Sequence, residues 1–458
     1  MDLLIKNGTI VNSNGQYQGD VAVKDGKIAA VGQNLTPEAG AQIVDAAGLL
    51  VLPGGMDVHT HLEMPFGGTI SADDYMTGTR AAACGGVTSV IDFVIQGKGE
   101  GLLDAIGRRE VLADPKACVD YGFHVAITDL TDDVLNEMEE AVKMGVSSFK
   151  VFMTYSFGIT DGVFFKVLRK SKDIGALVMV HAENHDCLEV LKAEYLAAGK
   201  TDAWHHYMSR PEFVEAEADQ RAIELAKSVG APLYIVHLAC DGGMKAVEKA
   251  RRKGYPIFAE TCPQYLNFTC DVYKRPDGRN FVCSPPIKGQ ASQDAIWNGI
   301  KNGNIVTVAT DHCPFQSTEK DWGKDDFTKI PNGCMGIENL YPYMLSEANK
   351  GRITFERAVE LCSANPARLF GAPAKGVIAP GADADIVLYD KGKDFTISQK
   401  NMHSEIDHTI WEGVQLKGYP VATYSRGALV YKDGEFLGKA GHGRFLKRNP
   451  IRLNSPSL

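Results

Sequence analysis

The sequence lacks the features that mark membrane proteins and nucleic-acid-binding proteins. It has no apolar run long enough to cross a bilayer, and it has no cluster of lysines or arginines that would bind a phosphate backbone or an anionic lipid. Its formal net charge is -9, from 48 basic and 57 acidic residues. We therefore expect neither a nucleic acid nor a membrane as a partner.

A disulfide framework is also missing from the pattern. The ten cysteines include no C-x-x-C pair, and most of them lie in apolar stretches such as AAACGG and FVCSPP. In a chain of 458 residues this usage indicates reduced, buried thiols. The opening stretch, MDLLIKNGTIVNSNG, begins a strand-and-turn pattern without the features of a signal peptide. The sequence therefore predicts a cytoplasmic protein.

The two ends of the chain share one sequence pattern. Residues 1–52 alternate short apolar runs with Asn-Gly and Asp-Gly turns, which is typical of short antiparallel strands. The same pattern occurs near the C-terminus in GVIAPGADADIVLYD and YSRGALVYKDGEFLG. Because chain ends usually lie close together, we predict one small β-sandwich domain formed by residues 1–52 and 372–458. The final stretch, from residue 441, is expected to be an irregular arm that packs on a neighbouring subunit.

The middle of the chain, residues 53–371, alternates apolar runs with helical patterns such as VLNEMEEAVKMG and DQRAIELAKSVG. The eight apolar runs are GGMDVHTHLEMP, GGVTSVIDFVIQ, CVDYGFHVAITD, SSFKVFMTYS, ALVMVHAEN, PLYIVHLAC, PIFAETCPQYL and IVTVATDHCPF. Eight strand–helix units of about 33 residues each are typical of a TIM (β/α)8 barrel. A doubly wound sheet is the alternative, but no G-x-G-x-x-G turn follows the first of these strands. We predict the α/β barrel.

Side chains of the metal-ligand type close several of the predicted strands. They are His59 and His61 on strand one, His181 on strand five, His237 on strand six and Asp311 on strand eight. An H-x-H pair alone would fit two core or solvated histidines equally well. Residues two apart in a strand share a face, however, and barrel strands end at one rim. The set therefore predicts a divalent metal site, and its nitrogen and carboxylate ligands favour zinc.

Lys150 stands in the middle of SSFKVFMTY, a run that otherwise reads as a buried strand. A buried ammonium group is costly unless it finds a partner or loses its proton. Nearby metal ions would lower its pKa, and a neutral amine can react with CO2 to form a carbamate that bridges two metal ions. The alternative is an ion pair with Asp57 or Asp311, with a single metal ion elsewhere. The residue chemistry permits both.

In combination, SSFKVFMTY, VHAEN, YIVHLA, ETCPQYL, CSPPIK, TDHCPF and IPNG resemble the amidohydrolase superfamily, specifically its hydantoinases and dihydropyrimidinases. The resemblance covers essentially the whole chain. It implies two metal ions, with a carboxylated lysine between them and an aspartate that also serves as general base and acid. The six implied ligands are His59 and His61 for the more buried ion, His181 and His237 for the more exposed ion, Lys150 as the bridge, and Asp311.

The resemblance also implies three contacts with a small cyclic substrate. These are the Tyr155 hydroxyl and the main-chain groups at Ser284 and Asn332. From the residues alone, Tyr155 could be a packing residue at the rim, Ser284 a turn residue before two prolines, and Asn332 part of an ordinary Asn-Gly turn.

The implied activity is hydrolysis of the ring amide of hydantoins or dihydropyrimidines to N-carbamoyl amino acids, through a metal-bridging hydroxide. Tyr155 would stabilise the oxyanion, and the family resemblance implies a homotetramer. Dihydrouracil and 5-substituted hydantoins both remain open as substrates. Four apolar residues could line a pocket for the ring substituent, with ordinary rim packing as the alternative. They are Met64, Phe66, Phe152 and Phe157.

Three other functions are weighed against this one. Another cyclic-ureide amidohydrolase, such as an allantoinase, would use the same metal ligands. A non-catalytic scaffold resembling the collapsin response mediator proteins is disfavoured because those proteins lack the ligands that this chain retains. A zinc-dependent deaminase would typically use one metal ion and would leave Lys150 unexplained.

Overall fold

The computed structural model describes residues 1–451 of the chain. Its strands are, in chain order, β1 (Leu3–Asn12), β2 (Gly15–Lys24), β3 (Lys27–Gly32), β4 (Gln42–Asp45), β5 (Leu50–Pro53), β6 (Gly55–Thr60), β7 (Pro65–Phe66), β8 (Thr69–Ile70), β9 (Val87–Ile95), β10 (Asp120–Ala126), β11 (Ser148–Phe152), β12 (Leu177–His181), β13 (Leu233–Ile235), β14 (Ile257–Thr261), β15 (Thr307–Val308), β16 (Ile386–Asp390), β17 (Phe395–Thr396), β18 (Gln415–Leu416), β19 (Tyr419–Ser425), β20 (Ala428–Lys432) and β21 (Glu435–Phe436).

The helices follow the glycine and capping signals of the sequence. They are α1 (Tyr75–Cys84), α2 (Leu102–Ala113), α3 (Asp132–Met144), α4 (Asp161–Ile174), α5 (His185–Ala197), α6 (Ala203–Met208), α7 (Glu212–Val229), α8 (Asp241–Arg252), α9 (Pro263–Asn267), α10 (Gln290–Lys301), α11 (Ser317–Lys320), α12 (Leu340–Asn349), α13 (Phe355–Val359) and α14 (Asn365–Leu369). Helix α3 is typical: the Thr131 hydroxyl accepts from the Val134 N–H at its start, and Gly145 at φ 104° ends it.

Eight parallel strands form the barrel, in the order β15-β14-β13-β12-β11-β10-β9-β6. The ring closes between its first and last strands where Thr60 pairs with His312 and the His61 N–H donates to the His312 carbonyl at 2.8 Å. Each of the eight apolar runs in the sequence supplies one of these strands. The prediction of a TIM barrel is therefore confirmed.

Both chain ends build a second, nine-stranded sheet. Its order is β21-β20-β19-β16-β5-β1-β2-β3, and β4 pairs with β1. The two ends meet where β5 pairs antiparallel with β16, for example Leu52 with Val387. The predicted β-structure from both ends is confirmed. One detail differs from the turn pattern: Asn7-Gly8 is a bulge inside β1, where the Asn7 N–H donates to Asp20 at 2.8 Å.

A buried ion cluster joins the barrel to this sheet. The Lys375 ammonium lies 2.6 Å from Asp120, at the start of barrel strand β10, and 2.7 Å and 3.0 Å from Asp385 and Asp383, just before β16. Lys375 is only 6% exposed. We call these four residues the joint cluster.

The described part of the C-terminal arm packs on its own barrel. The Leu446 N–H donates to the carbonyl of Tyr121 in β10 at 2.6 Å, and the Asn449 and Ile451 N–H groups donate to Gly371 and Gly175. The Phe445 ring lies 5.9 Å from that of Tyr121. These contacts cover the barrel floor, the end where the strands begin. Residues 441–451 thus pack on the barrel of their own chain, and the expected packing of the arm on a neighbouring subunit stays a prediction. Residues 452–458 lie outside the described part.

Within residues 1–451, none of the helices has the length and the apolar character that a bilayer crossing would need.

Candidate active site

The residues expected at the barrel rim converge on one pocket. It opens to solvent, and the empty space in it and at its open mouth is about 600 Å³. His59 lies in β6 and His181 ends β12, while His237 and Asp311 follow β13 and β15. The pocket is lined by all nine candidate site residues: His59, His61, Lys150, Tyr155, His181, His237, Ser284, Asp311 and Asn332. Five barrel strands and two later loops thus contribute to one cavity.

The first potential metal group consists of His59, His61 and Asp311. One oxygen of Asp311 lies 3.1 Å from Nε2 of His59 and 3.0 Å from Nε2 of His61. The three ligand atoms lie within 4.8 Å of one another. Two imidazole nitrogens and a carboxylate oxygen suit a divalent transition metal. This donor set therefore fits a metal ion.

The second potential group consists of His181 and His237. Nδ1 of His181 lies 3.0 Å from Nε2 of His237, across the same pocket. Burial lowers the pKa of His181, and burial together with His181 lowers the pKa of His237 well below its usual range. Two neutral imidazoles with facing nitrogens are the form in which histidine binds a metal. This pair, too, fits a metal ion.

Lys150 lies on β11 between the two groups and is 1% exposed. Its ammonium lies 4.8 Å from the centre of the Phe93 ring and 5.2 Å from that of Phe152, and it has no ion-pair partner within residues 1–451. Asp57, one of the two expected partners, instead accepts hydrogen bonds from the hydroxyl and N–H of Thr310, at 2.5 and 3.1 Å. Burial lowers the pKa of Lys150 to about 7. The ion-pair alternative is therefore absent from this structure.

Two glutamates behind the histidines complete the site, and the sequence analysis missed both. Glu260 in β14 hydrogen-bonds to Nδ1 of His59 and accepts the His237 N–H at 3.0 Å. Glu183 lies 2.8 Å from Nε2 of His181 and 2.6 Å from the guanidinium of Arg210. By holding one ring nitrogen, each glutamate directs the other toward the pocket.

A signal for both glutamates is present in the sequence. Glu260 interrupts the apolar strand IFAET just as Lys150 interrupts its own strand. Glu183 follows His181 by two residues, just after β12 ends. A buried carboxylate is costly unless it is paired, and both glutamates are paired here.

Electrostatics at His59 also call for positive charge. Burial alone would lower the pKa of His59, but the carboxylates of Glu260 and Asp311 outweigh it and raise the pKa to about 9. Burial would raise the pKa of Asp311, but His59 and His61 hold it well below its usual range. The protonated form of His59 and the ionised form of Asp311 thus stabilise each other in the pocket, and a metal cation bound to both would take the place of the proton on His59.

Three site residues adopt a backbone conformation that side chains rarely take. Tyr155, His237 and Asp311 have φ values of 72°, 38° and 53°, in the left-handed region. Such strain persists only where the surrounding structure imposes it, and it clusters at functional sites.

The substrate side of the pocket combines unpaired polar atoms with apolar rings. Oγ of Ser284 and Oδ1 of Asn332 are buried without a hydrogen-bond partner within residues 1–451. The Tyr155 ring stacks on that of Phe157 at 5.3 Å and meets Phe66 edge-on at 5.7 Å. The apolar lining consists of Met64, Pro65, Phe66, Ile95, Phe152, Phe157 and Cys313. Burial raises the pKa of Tyr155, which keeps its hydroxyl protonated and able to donate.

Comparison with known proteins places this geometry in one family. The family model described as "Amidohydrolase family" matches residues 50–430. The chain is 44% identical to a D-hydantoinase of Geobacillus stearothermophilus, over 98% of this chain and 97% of that protein. It is 43% identical to a D-phenylhydantoinase of Escherichia coli K12, over 98% and 99% of the two chains.

Solved structures agree with these relatives. The dihydropyrimidinase from Brevibacillus agri NCHU1002 superposes with a TM-score of 0.97 at 43% identity, covering 99% of this chain and all of that chain. The L-hydantoinase (dihydropyrimidinase) from Arthrobacter aurescens superposes with a TM-score of 0.90 at 31% identity, covering 98% and 100%. The similarity therefore includes the barrel and both chain ends.

Proposed function

This chain belongs to the amidohydrolase family and, within it, to the hydantoinases and dihydropyrimidinases, and from that membership we propose that it hydrolyses the ring amide of hydantoins or dihydropyrimidines to N-carbamoyl amino acids. The observation that carries the proposal is the convergence of two histidine groups, an unpaired buried lysine and an aspartate on one pocket.

We propose two divalent metal ions, most simply zinc, as cofactors. His59, His61 and Asp311 would hold one ion and His181 and His237 the other. Lys150, carboxylated by CO2, would supply a further anionic ligand, which fits a buried side chain that has no carboxylate partner within residues 1–451. When bound, the ions supply a water of lowered pKa and polarise the ring carbonyl.

The protein's own residues would carry the rest of the reaction. The Tyr155 hydroxyl, held among aromatic rings, donates a hydrogen bond to the carbonyl oxygen as negative charge develops on it. Asp311 takes the proton of the attacking water and delivers it to the departing ring nitrogen. Main-chain groups at Ser284 and Asn332 hold the imide edge of the ring.

The pocket lining also bears on the substrate. Apart from Lys150 and the histidines, it contains no cationic side chain, so it offers no partner for a carboxylate on the ring. The apolar wall formed by residues such as Phe66, Phe152 and Phe157 would remain uncovered by unsubstituted dihydrouracil. It favours a hydantoin with an apolar substituent at C5, although apolar pockets separate such analogues only weakly.

Hydrolysis assays test the proposal directly. Zinc-loaded protein, with bicarbonate present, is given 5,6-dihydrouracil and each enantiomer of a 5-arylhydantoin, and ring opening is followed. Turnover of one arylhydantoin enantiomer would make this a hydantoinase, and preference for dihydrouracil would make it a dihydropyrimidinase. Absence of turnover with metal verified would overturn the proposal and favour an allantoinase or a scaffold role.

The assembly is proposed from the family and the location from the cysteines. We propose a homotetramer, which light scattering on the purified protein tests. We also propose a cytoplasmic location, in keeping with ten free cysteines. Fractionation of the source cells tests the location.

A further inference from the structure

Lys320, the last residue of α11, is completely buried. Its ammonium donates to three main-chain carbonyls, those of Val282 at 3.0 Å, Pro331 at 2.7 Å and Gly333 at 2.6 Å. Three protons meet three acceptors, and within residues 1–451 no carboxylate pairs with it. Hydrogen bonds from a charged donor are stronger than those between neutral groups. The ammonium therefore holds the three carbonyls pointing toward it.

The three carbonyls belong to the two segments that contain the proposed ring-binding residues. We call residues 282–284 and 331–333 the ring-edge segments. Ser284 lies in the first and Asn332 in the second, and both line the pocket. The Gly333 N–H also donates to the Val282 carbonyl at 2.9 Å, so the segments are bonded to each other as well as to the lysine.

Because the peptide bond is planar, a fixed direction for these carbonyls also fixes the direction of the N–H groups that follow them, at the pocket. In a trans peptide the carbonyl and the N–H of the next residue point in opposite directions. Holding the Pro331 carbonyl toward Lys320 therefore directs the Asn332 N–H away from Lys320. That N–H has no hydrogen-bond partner within residues 1–451, although the residue itself is part of the pocket lining.

Lys320 also follows the proposed general base, Asp311, by nine residues, at the end of the helix to which the Asp311 loop leads. The Cys313 N–H, in that loop, donates to the Cys334 carbonyl at 2.9 Å, next to the second ring-edge segment. The loop that carries Asp311 is thus attached to the segments that would hold the ring.

We infer that Lys320 is a positioning residue that aligns the ring-edge segments with the loop that carries Asp311. It thereby determines how tightly the imide edge of the substrate is held. The inference rests on the proposed function, because it needs Ser284 and Asn332 to contact the ring. It assigns no chemistry to Lys320 itself, which touches neither substrate nor metal ligand.

Kinetics of Lys320→Met test the inference, with two substrates. One is a 5-arylhydantoin that the wild type hydrolyses, and the other is its N3-methyl derivative, which lacks the imide N–H. We expect KM for the parent to rise about tenfold, equivalent to about 1.4 kcal/mol, with a smaller change in kcat. The preference for the parent over the derivative should shrink by a similar factor, since the derivative keeps the ring carbonyls that would accept from the Asn332 N–H but lacks the imide N–H that would donate to the Ser284 carbonyl.

Lys375→Met is the matched control, because it removes another buried lysine far from the pocket. It should lower the melting temperature while leaving KM and the substrate preference unchanged. Lys320→Gln, which keeps two N–H donors, should give intermediate kinetics and serves if the methionine variant does not fold.

Several outcomes would overturn the inference. One is a folded Lys320→Met protein with wild-type KM and preference. Another is an equal loss of kcat on both substrates. A third is failure of both Lys320 variants to fold while Lys375→Met folds, since that would make Lys320 a folding residue alone. Wild-type protein that hydrolyses neither substrate would instead refute the proposed function.

Discussion

Two buried lysines, Lys150 at the barrel rim and Lys375 in the joint cluster, differ in how their charge is balanced. In the joint cluster, burial alone would lower the pKa of Lys375, but Asp385 and Asp383 outweigh it and raise the pKa. At the rim, burial lowers the pKa of Lys150 to about 7, since its carboxylate neighbours do not compensate. The charges of the joint cluster are paired without any ligand. At the rim, the Lys150 ammonium has no carboxylate partner within residues 1–451, and this unpaired charge marks the site.

The same contrast holds for neutral polar groups. Within residues 1–451, Ser284 and Asn332 each have a side-chain atom at the pocket that is buried without a partner, as do His61 and His237. At the joint, each of the four side chains has a partner. A buried group left unpaired costs free energy, so an unpaired cluster at one rim indicates that something else binds there. Matched substitutions at the barrel rim and in the joint cluster test this comparison.

The largest effect on turnover is expected from Lys150→Ala. Loss of the proposed bridge should remove metal and lower kcat on the order of 10⁴-fold or more, because the activated water depends on the ions. Metal analysis and a ring-opening assay on the same sample measure both. Partial rescue by a short carboxylic acid would support the carbamate, and full activity in the variant would exclude it. Lys375→Ala, at the joint, should retain the metal.

Asp311→Asn is expected to have the next largest effect. The amide can still offer an oxygen ligand but cannot accept and return a proton, so kcat should fall by about 10²–10⁴-fold while much of the metal stays. Asp385→Asn makes the same change at the joint and should lower the melting temperature without changing kcat. Near-normal turnover in Asp311→Asn would remove that residue from the base role.

Tyr155→Phe should lower kcat by about 10²–10³-fold through loss of one oxyanion donor. Metal content and melting temperature should stay close to those of the wild type. Its control is Tyr121→Phe, which removes a hydroxyl bonded to Asp114 at 3.1 Å near the barrel floor. Equal kinetics for the two variants would contradict a catalytic role for Tyr155.

Lys375→Met should leave turnover unchanged and act on stability alone. Removing one partner of a buried ion cluster costs about 3–5 kcal/mol of unfolding free energy, which denaturant titration measures. Because the folded-state pKa of Lys375 lies above its unfolded value, its stabilising contribution is complete below about pH 10 and is lost as the pH rises further. The variant should lack that alkaline loss. An unchanged unfolding free energy would show that the joint is not held by charge.

Much of this arrangement follows from local patterns in the sequence. The barrel was predictable because eight apolar runs recur at a regular spacing, and the rim followed because His59, His181 and Asp311 close such runs. Glu260 was missed although it interrupts an apolar strand as Lys150 does. Lys320 ends the short polar helix α11, and its partners are carbonyls 38 residues before it and 11 and 13 residues after it. Main-chain partners leave no side-chain pattern, so only the folded structure reveals them.

The covering of the barrel floor by residues 441–451 has a consequence for the order of synthesis. A ribosome makes the chain from its N-terminus, so all eight barrel strands emerge before the residues that hydrogen-bond to Tyr121, Gly175 and Gly371. A nascent chain thus carries an uncovered barrel floor until residues 441–451 have been made. Premature termination would leave that apolar surface exposed, which marks incomplete copies for the quality-control proteases that recognise unfolded segments.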